Sequence, residues 1–441
     1  MKIRVYQYPS KRADSYLTKI INRIESFPVK IERNVKKIGE KVKKEGDKVL
    51  IEFTQKFDGV LFKSSELKVT EEEIEKAYEK IPKKLLSAIR LAIKKVRKFH
   101  SQALPQSWFI EDGSNIILGQ VVKPVEKAGI YIPGGKGGET PLVSTVIMTA
   151  VPAKVAGVEK IVMVSPPRKD KTLHPALLVA AKEAGVDEIY KVGGPWSIFG
   201  LAYGTETLPK VDVICGPGNI YVTIAKKLVS SWIGIDILAG PSEILIIADE
   251  TADPEFVVWD LLAQAEHDPM SLAILITTSK KLTKEVKNLL PSALAKGFRS
   301  EIAERSLSQR GAIIITQNLE QAFFLANLIA PEHLELCIEN SMEYLSMVKN
   351  AGAVFLGSFT PEAMGDYIAG PNHVLPTMGL ARFCSSLSVE KFLKKINFLK
   401  YSLEDLKSEA DKVILLAETE NLPSHAEAVK VRIKKLRRDL K

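Results

Sequence analysis

Apolar residues recur every three or four positions through most of residues 1–110, as in Glu71-Glu-Glu-Ile-Glu-Lys-Ala-Tyr78 and Leu85-Leu-Ser-Ala-Ile-Arg-Leu-Ala-Ile-Lys-Lys-Val96. That period predicts helices with one buried stripe, a scaffold with little chemistry of its own. From Lys127 the texture changes to short β-branched runs alternating with Ala-rich helical segments: AGIYIPGG (128–135), VSTVIMTAVPAKVAGV (143–158), KIVMVSPP (160–167), HPALLVAAKEAG (174–185), DEIYKVGG (187–194) and VDVICGPG (211–218). Strand and helix alternating at this interval predict parallel βαβ units. The alternation resumes with EILIIAD (243–249), PEFVVWDLLAQAEHD (254–268), LAILITTS (272–279) and AIIITQ (312–317), so two α/β modules in series are expected. Their junction falls near Asp236-Ile-Leu-Ala-Gly-Pro-Ser242, where a Gly-Pro turn breaks the pattern. After Val389 the pattern is helical and charged again, in a tail too short to hold its own core, which is expected to pack on the body or on a partner subunit.

Composition narrows the class. At 441 residues and 46% hydrophobic, the chain exceeds what one core usually fills, so two or more domains are expected. No apolar run approaches the roughly 18 residues of a membrane span, and the start, Met1-Lys-Ile-Arg-Val-Tyr-Gln7, lacks the core of a signal peptide. A cytoplasmic protein with no membrane partner is the expectation. Cys215, Cys337 and Cys384 are odd in number and far apart, as reduced thiols would be. The net charge of +9 comes from 62 basic and 53 acidic residues interleaved along most of the chain, which suits solvated helix faces. The tail KVRIKKLRRDLK (430–441) has seven positive residues against one negative but no aromatic interleaving, so no nucleic-acid partner is expected.

The chemistry concentrates around histidine. Four of the six histidines lie near carboxylates or amides: Gln264-Ala-Glu-His267, Glu332-His333, Asp366 with His373, and Glu420 with His425. These are the groups that bind a borderline divalent ion such as zinc, and a His beside a Glu is a proton-transfer pair near neutral pH. Gln264 and His267 are three apart on an apolar helix and so share a face. In isolation, His267 also reads as a helix-end histidine bonded to backbone, and His425, after Pro423-Ser424, as a helix-start residue. Glu332-His333 places two ionisable groups in a segment that packing alone would fill with apolar residues. Two glycine clusters, Pro133-Gly-Gly-Lys-Gly-Gly138 and Gly216-Pro-Gly-Asn219, match neither the dinucleotide fingerprint nor a P-loop, yet both follow strands of a parallel sheet, where ligands of such folds collect.

At these residues the chain resembles the histidinol dehydrogenase family. The resemblance rests on GIYIPGG (129–135), STVIMTAVPAKVAGV (144–158), GLAYGTETLPKVD (200–212), AGPSE (239–243), LLAQAEHDP (261–269), APEHLE (330–335), the long block from Asn350 to Thr377, LSVEKF (387–392) and HAEAV (425–429). It implies two Rossmann-like parallel-sheet modules with small helical N- and C-terminal segments. The boundaries are 1–24 for an N-terminal helical segment, 25–128 plus 243–388 for a larger α/β domain, 129–242 for an NAD-binding domain, and 389–441 for a dimerisation tail. The implied activity is the zinc- and NAD-dependent four-electron oxidation of L-histidinol to L-histidine through L-histidinal. The matched metal ligands are Gln264, His267, Asp366 and, from the second subunit of a homodimer, His425. His333 matches the general base and Glu332 the residue that activates water. Ser242, His373 and Glu420 match further substrate contacts, and Tyr131 and Asn219 dinucleotide contacts. Trp196 stands where the family commonly has a dinucleotide-binding Gln; an indole can stack but cannot replace the amide hydrogen bonds. Asn421 replaces a usual Gly, and Asn tolerates the left-handed backbone such a turn needs. The competing expectations are a same-fold dehydrogenase of another small alcohol and a catalytically silent scaffold.

Overall fold

The computed structural model describes residues 3–23, 28–112, 115–297 and 299–439. They form two compact units, Met1–Leu104 with Val125–Phe392, and Pro105–Pro124 with Leu393–Lys441. The first unit opens with strand β1 (Arg4–Gln7) and helices α1 (Lys11–Ile21), α2 (Val29–Glu45), α3 (Asp47–Asp58), α4 (Glu71–Lys80) and α5 (Lys83–Ser101). The predicted stripes are buried: α5 turns Ile89, Ala92, Ile93 and Val96 inward. Thr70 and Glu73 satisfy each other's backbone N–H groups in a capping box that starts α4. Strands β2 (Trp108–Asp112) and β3 (Ile116–Pro124) follow and belong to the second unit.

The first α/β module runs β4 (Lys127–Tyr131), α6 (Val143–Ala156), β5 (Lys160–Val164), α7 (Pro175–Ala184), β6 (Glu188–Tyr190), α8 (Gly194–Tyr203), β7 (Val213–Cys215), α9 (Ile220–Val229) and β8 (Gly234–Ile235). Its strands are parallel in the order β6-β5-β4-β7-β8. The order reverses between β4 and β7, and both glycine clusters follow those two strands. The second module runs β9 (Glu243–Ala248), α10 (Pro254–Ala265), β10 (Leu272–Thr277), α11 (Lys280–Leu294), α12 (Ser300–Gln309), β11 (Ala312–Ile315), α13 (Leu319–Ile329), β12 (His333–Cys337), β13 (Ala353–Leu356) and α14 (Glu362–Tyr367). Its sheet, β1-β11-β10-β9-β12-β13, is also parallel and repeats the same winding with β1 added at one edge. Every residue of β9 and β10 is buried, as strands covered on both faces must be, which explains their unbroken apolar sequences.

Three features depart from the sequence expectation. Residues 25–128 group from sequence with 243–388, but α2 to α5 pack on the first module: Arg90 and Tyr78 hold Glu183, Lys191 holds Glu73, and Lys227 holds Glu32. An amphipathic helix buries its stripe on the nearest sheet, and the strands of 127–235 reach these helices first. The segment 1–24 is not wholly helical, because β1 lies in register with β11. The tail 389–441 likewise contains a strand, β14 (Leu393–Lys400), antiparallel to β3 from Leu393↔Pro124 to Lys400↔Ile117. Its lysine-rich sequence, typical of an exposed strand, hides the alternation that would have announced it.

The second unit is the antiparallel sheet β14-β3-β2 followed by the hairpin of α15 (Leu403–Thr419) and α16 (Pro423–Asp439). Asn421 takes a left-handed conformation (φ 57°) in the turn between them, as its side chain permits. Among the described residues no helix is long and apolar enough to cross a membrane.

Candidate metal and catalytic centre

Chain connectivity brings the two modules together at a defined place. The chain leaves β8 at Ile235, at the carboxyl edge of the first sheet, and enters β9 at Glu243 on the amino edge of the second. Eight residues span at most about 28 Å, so these edges must adjoin. Thr145, near the start of α6, meets His373 across the junction (Oγ1 to Nε2, 3.5 Å), and Asn372 donates to the Met148 carbonyl at 2.6 Å. The catalytic candidates thus sit at the amino edge of their own sheet, facing the carboxyl edge of the other.

Glu332 and His333 are both gripped by the backbone of Glu243, their neighbour across the β9–β12 pair. The Glu243 N–H donates to Glu332 Oε2 at 2.8 Å, and His333 Nδ1 lies 2.9 Å from the Glu243 carbonyl. A carbonyl only accepts, so Nδ1 carries the proton and Nε2 keeps its lone pair. His333 Nε2 is buried and has no hydrogen-bond partner among the described residues, with Asp366 Oδ1 3.9 Å away. Arg23 in turn pairs with the Glu243 side chain at 2.8 Å, both buried, and so anchors the clip from behind. Gly352 is required here, since a Cβ on it would lie 2.5 Å from the Glu332 carbonyl oxygen.

Around His333 stand donors from two helices. Asp253 caps α10, which carries Gln264 in its last turn, with His267 just beyond; α14 carries Glu362 and Asp366 one turn apart. Ligand atoms of His267, Glu362 and Asp366 all lie within 4.8 Å of one another. With its nitrogen toward Glu362, the Gln264 amide donates to both carboxylate oxygens at 2.9 and 3.0 Å. His373 Nδ1 lies 3.0 Å from the Asp366 carbonyl, which fixes its tautomer as well. Burial dominates the electrostatics. It lowers His333 to about 3 and His373 to about 4, and raises Asp366 to about 6 and Glu332 and Glu362 well above the usual carboxylate range. Neutral imidazoles beside crowded carboxylates, with an orphaned Nε2 at the centre, are a donor set that fits a divalent cation such as zinc.

The charge of Asp366 is unfavourable in the metal-free fold, and the sign can be worked out. Its carboxyl holds a proton more tightly in the folded state (about 6) than in the unfolded (3.8), so stability is lost as pH rises between those values. The rise corresponds to about 3 kcal/mol above pH 6. We therefore expect metal-free Asp366→Asn to be more stable than metal-free wild type at pH 7.5, with the advantage vanishing toward pH 4. Denaturant titrations of chelator-treated proteins measure this. A variant equally destabilised at both pH values would rule out the account.

At the other edge, the loop after β7 is built for close approach. Gly216 has φ 120°, and a Cβ there would fall 2.1 Å from the Tyr131 carbonyl oxygen. The buried pair Lys226 and Asp236 clamps it: Lys226 donates to the Gly216 carbonyl at 3.0 Å and Asp236 accepts its N–H at 2.7 Å. Asn219 caps α9, accepting from Tyr221 and Val222, and leaves the helix N-terminus facing the switch point. Tyr131 is buried with its hydroxyl near the Gly194 N–H. Trp196 is buried between Phe53 (5.6 Å) and Phe57 (5.4 Å), and its N–H donates to Thr54. Its N–H is therefore already engaged within the fold.

The first unit thus gathers Gln264, His267, Glu332, His333, Asp366 and His373 in one neighbourhood. Ser242 precedes the Glu243 clip and accepts the Leu272 N–H through its carbonyl. Glu420 and His425 lie in the second unit, exposed at the turn between α15 and α16. Sequence reasoning missed Glu362 and Glu243. Glu362 precedes Asp366 by four residues on a helix, a same-face signal that was legible. Nothing local marks Glu243, because its contribution is its backbone.

A parallel module that reverses its strand order between two glycine loops, facing a second module with a buried histidine among carboxylates, fits an oxidoreductase of the α/β dehydrogenase class. The family model for histidinol dehydrogenase matches residues 22–433. The histidinol dehydrogenase of Carboxydothermus hydrogenoformans is 53% identical over 403 residues, covering 91% of this chain and 94% of that one. That of Synechococcus sp. is 50% identical over 97% of this chain and 98% of its own. The crystal structure of histidinol dehydrogenase from Elizabethkingia anophelis superposes with a TM-score of 0.92 at 38% identity, covering 99% of both chains. The chain belongs to the histidinol dehydrogenase family and is an NAD-dependent oxidoreductase of histidine biosynthesis.

Proposed function

We propose that this protein oxidises L-histidinol to L-histidine through L-histidinal in the cytoplasm, with NAD at the carboxyl edge of the first module and zinc at the cluster on the second. The observation that carries it is the free Nε2 of His333, held unprotonated by burial next to Asp366 and the His267 cluster. Gln264, His267, Asp366 and, from a second copy of the chain, His425 would hold zinc, which when bound would supply Lewis-acid anchoring of the substrate's nitrogens, while NAD would supply the hydride acceptor. His333 Nε2 takes the alcohol proton; Glu332 and Glu362, 3.7 and 3.6 Å from its Nδ1, stabilise the imidazolium that results. Glu332 takes a proton from the water that adds to the aldehyde, its basicity raised by burial and its position kept by the Glu243 N–H. His373 and Ser242 complete the substrate's surroundings.

His425 and Glu420 belong, in this reading, to the site of the partner in a homodimer. Exposed apolar surface supports it: β2 presents Trp108, Phe109 and Ile110 to solvent, α15 presents Leu415 and Leu416, and Phe359, Met364 and Tyr367 are exposed in and just before α14. Nucleic acid has no role in it. The test is NADH production by purified, zinc-loaded protein offered L-histidinol and a panel of other small alcohols. Two NADH per histidinol are expected; idle protein with histidinol and brisk turnover of another alcohol would end this reading.

A further inference from the structure

The carboxyl edge of the first sheet holds a carboxylate that neither the cation cluster nor the proton steps use. Asp58 is the last residue of α3, which Gly59 closes in a left-handed conformation (φ 74°). Its neighbour Phe57 stacks on Trp196 at the start of α8, immediately after β6, so the end of α3 is pinned to the β6 side of the crevice. The Asp58 charge is felt by the hydroxyl of Tyr131, the last residue of β4. Asp58 Oδ2 is sealed from solvent and has no hydrogen-bond partner among the described residues, and burial pushes its carboxyl up to about 6. A second orphan lies at the same edge: Ser165 Oγ, buried just past β5. Such groups are unfavourable in the free protein and gain most from a ligand that brings hydroxyl groups.

In a parallel sheet of this order, the strands on one side of the switch point hold the adenosine half of a dinucleotide, and an acidic side chain there accepts from the ribose. In this chain those strands are β5 and β6. We propose that Asp58 accepts the hydrogen bond of the adenosine 2′-hydroxyl and thereby sets the preference for NAD over NADP. This rests on the dinucleotide reading of the crevice. A 2′-phosphate would replace that donor with negative charge beside a carboxylate, and several cations of the surrounding strands and loops are already paired. Arg168, in the loop after β5, pairs with Glu139 at 3.1 Å and Asp170 at 3.5 Å; Lys171 pairs with Glu66 at 3.5 Å; Lys191 pairs with Glu73 at 3.0 Å. The acid comes from a helix outside the βαβ unit, which is why no fingerprint spacing reveals it.

The test compares NAD with NADP on the zinc-loaded full-length protein, by fluorescence titration without substrate and by initial rates with histidinol, for wild type and Asp58→Asn. Wild type should bind NAD at least about tenfold more tightly than NADP, the size expected of one charged hydrogen bond. Asp58→Asn should raise the NAD KM about tenfold, hold kcat within about twofold, and narrow the NAD to NADP ratio about tenfold, with metal content unchanged. Equal wild-type affinities for NAD and NADP would overturn the assignment without any variant, as would an Asp58→Asn enzyme with wild-type KM and ratio. Failure of wild type to oxidise histidinol would instead count against the function proposed above, while the binding arm still decides Asp58.

Discussion

His267→Ala is expected to lose its divalent ion and, with it, turnover. His267 stands just past the end of α10, at the solvent edge of the cluster it forms with Glu362 and Asp366. Alanine there removes one of the two nitrogen donors of the proposed ligand set, and borderline zinc favours nitrogen. Partners one shell further out already change metal affinity about 10- to 100-fold, so loss of a direct ligand should exceed about a hundredfold. The fold should survive, because His267 lies beyond the end of α10 as an exposed residue and its backbone contacts remain. Metal analysis after dialysis, beside NADH production, is the measurement. We expect wild type to hold near one ion per chain and the variant almost none. A variant that keeps both ion and activity would show that the cluster is not the metal site.

The second large effect separates the two proton carriers. His333→Asn should lower kcat on histidinol by roughly 10²–10⁴ with the metal retained, the range general-base removal usually spans. Glu332→Gln keeps an oxygen to accept the Glu243 N–H, so its backbone clip survives while the base is lost. It should slow oxidation of histidinal, supplied directly, far more than the alcohol step. The His333 dependence should persist to acid pH, since burial keeps this ring neutral far below its usual range. Unchanged rates for His333→Asn at neutral pH would remove it from the chemistry. Equal losses of both half-reactions in Glu332→Gln would deny the division of labour.

Much of this candidate centre was legible beforehand because rare residues stand there in improbable company. Glu332-His333 interrupts an apolar run, and Gln264 and His267 share a helix face. Trp196 was weighed as a stacking surface for the dinucleotide, and in the fold it is buried beneath Phe57; burial depends on α3, which lies 140 residues away in the chain. Asp58 and Glu243 were invisible for related reasons. One stands out because no described residue pairs with its Oδ2, the other because its main chain does the holding.

What the sequence determined alone was the alternation of strand and helix, hence two parallel modules, and which side chains stand as candidates for the chemistry. Periodicity is local, so buried strands and striped helices announce themselves. Only the tertiary structure decided which sheet the N-terminal helices cover, that Arg4–Gln7 and Leu393–Lys400 are strands, and that the candidate side chains of the second module gather at its amino edge. Those outcomes depend on a short connection between Ile235 and Glu243 and on pairings between residues hundreds of positions apart, which no local pattern encodes.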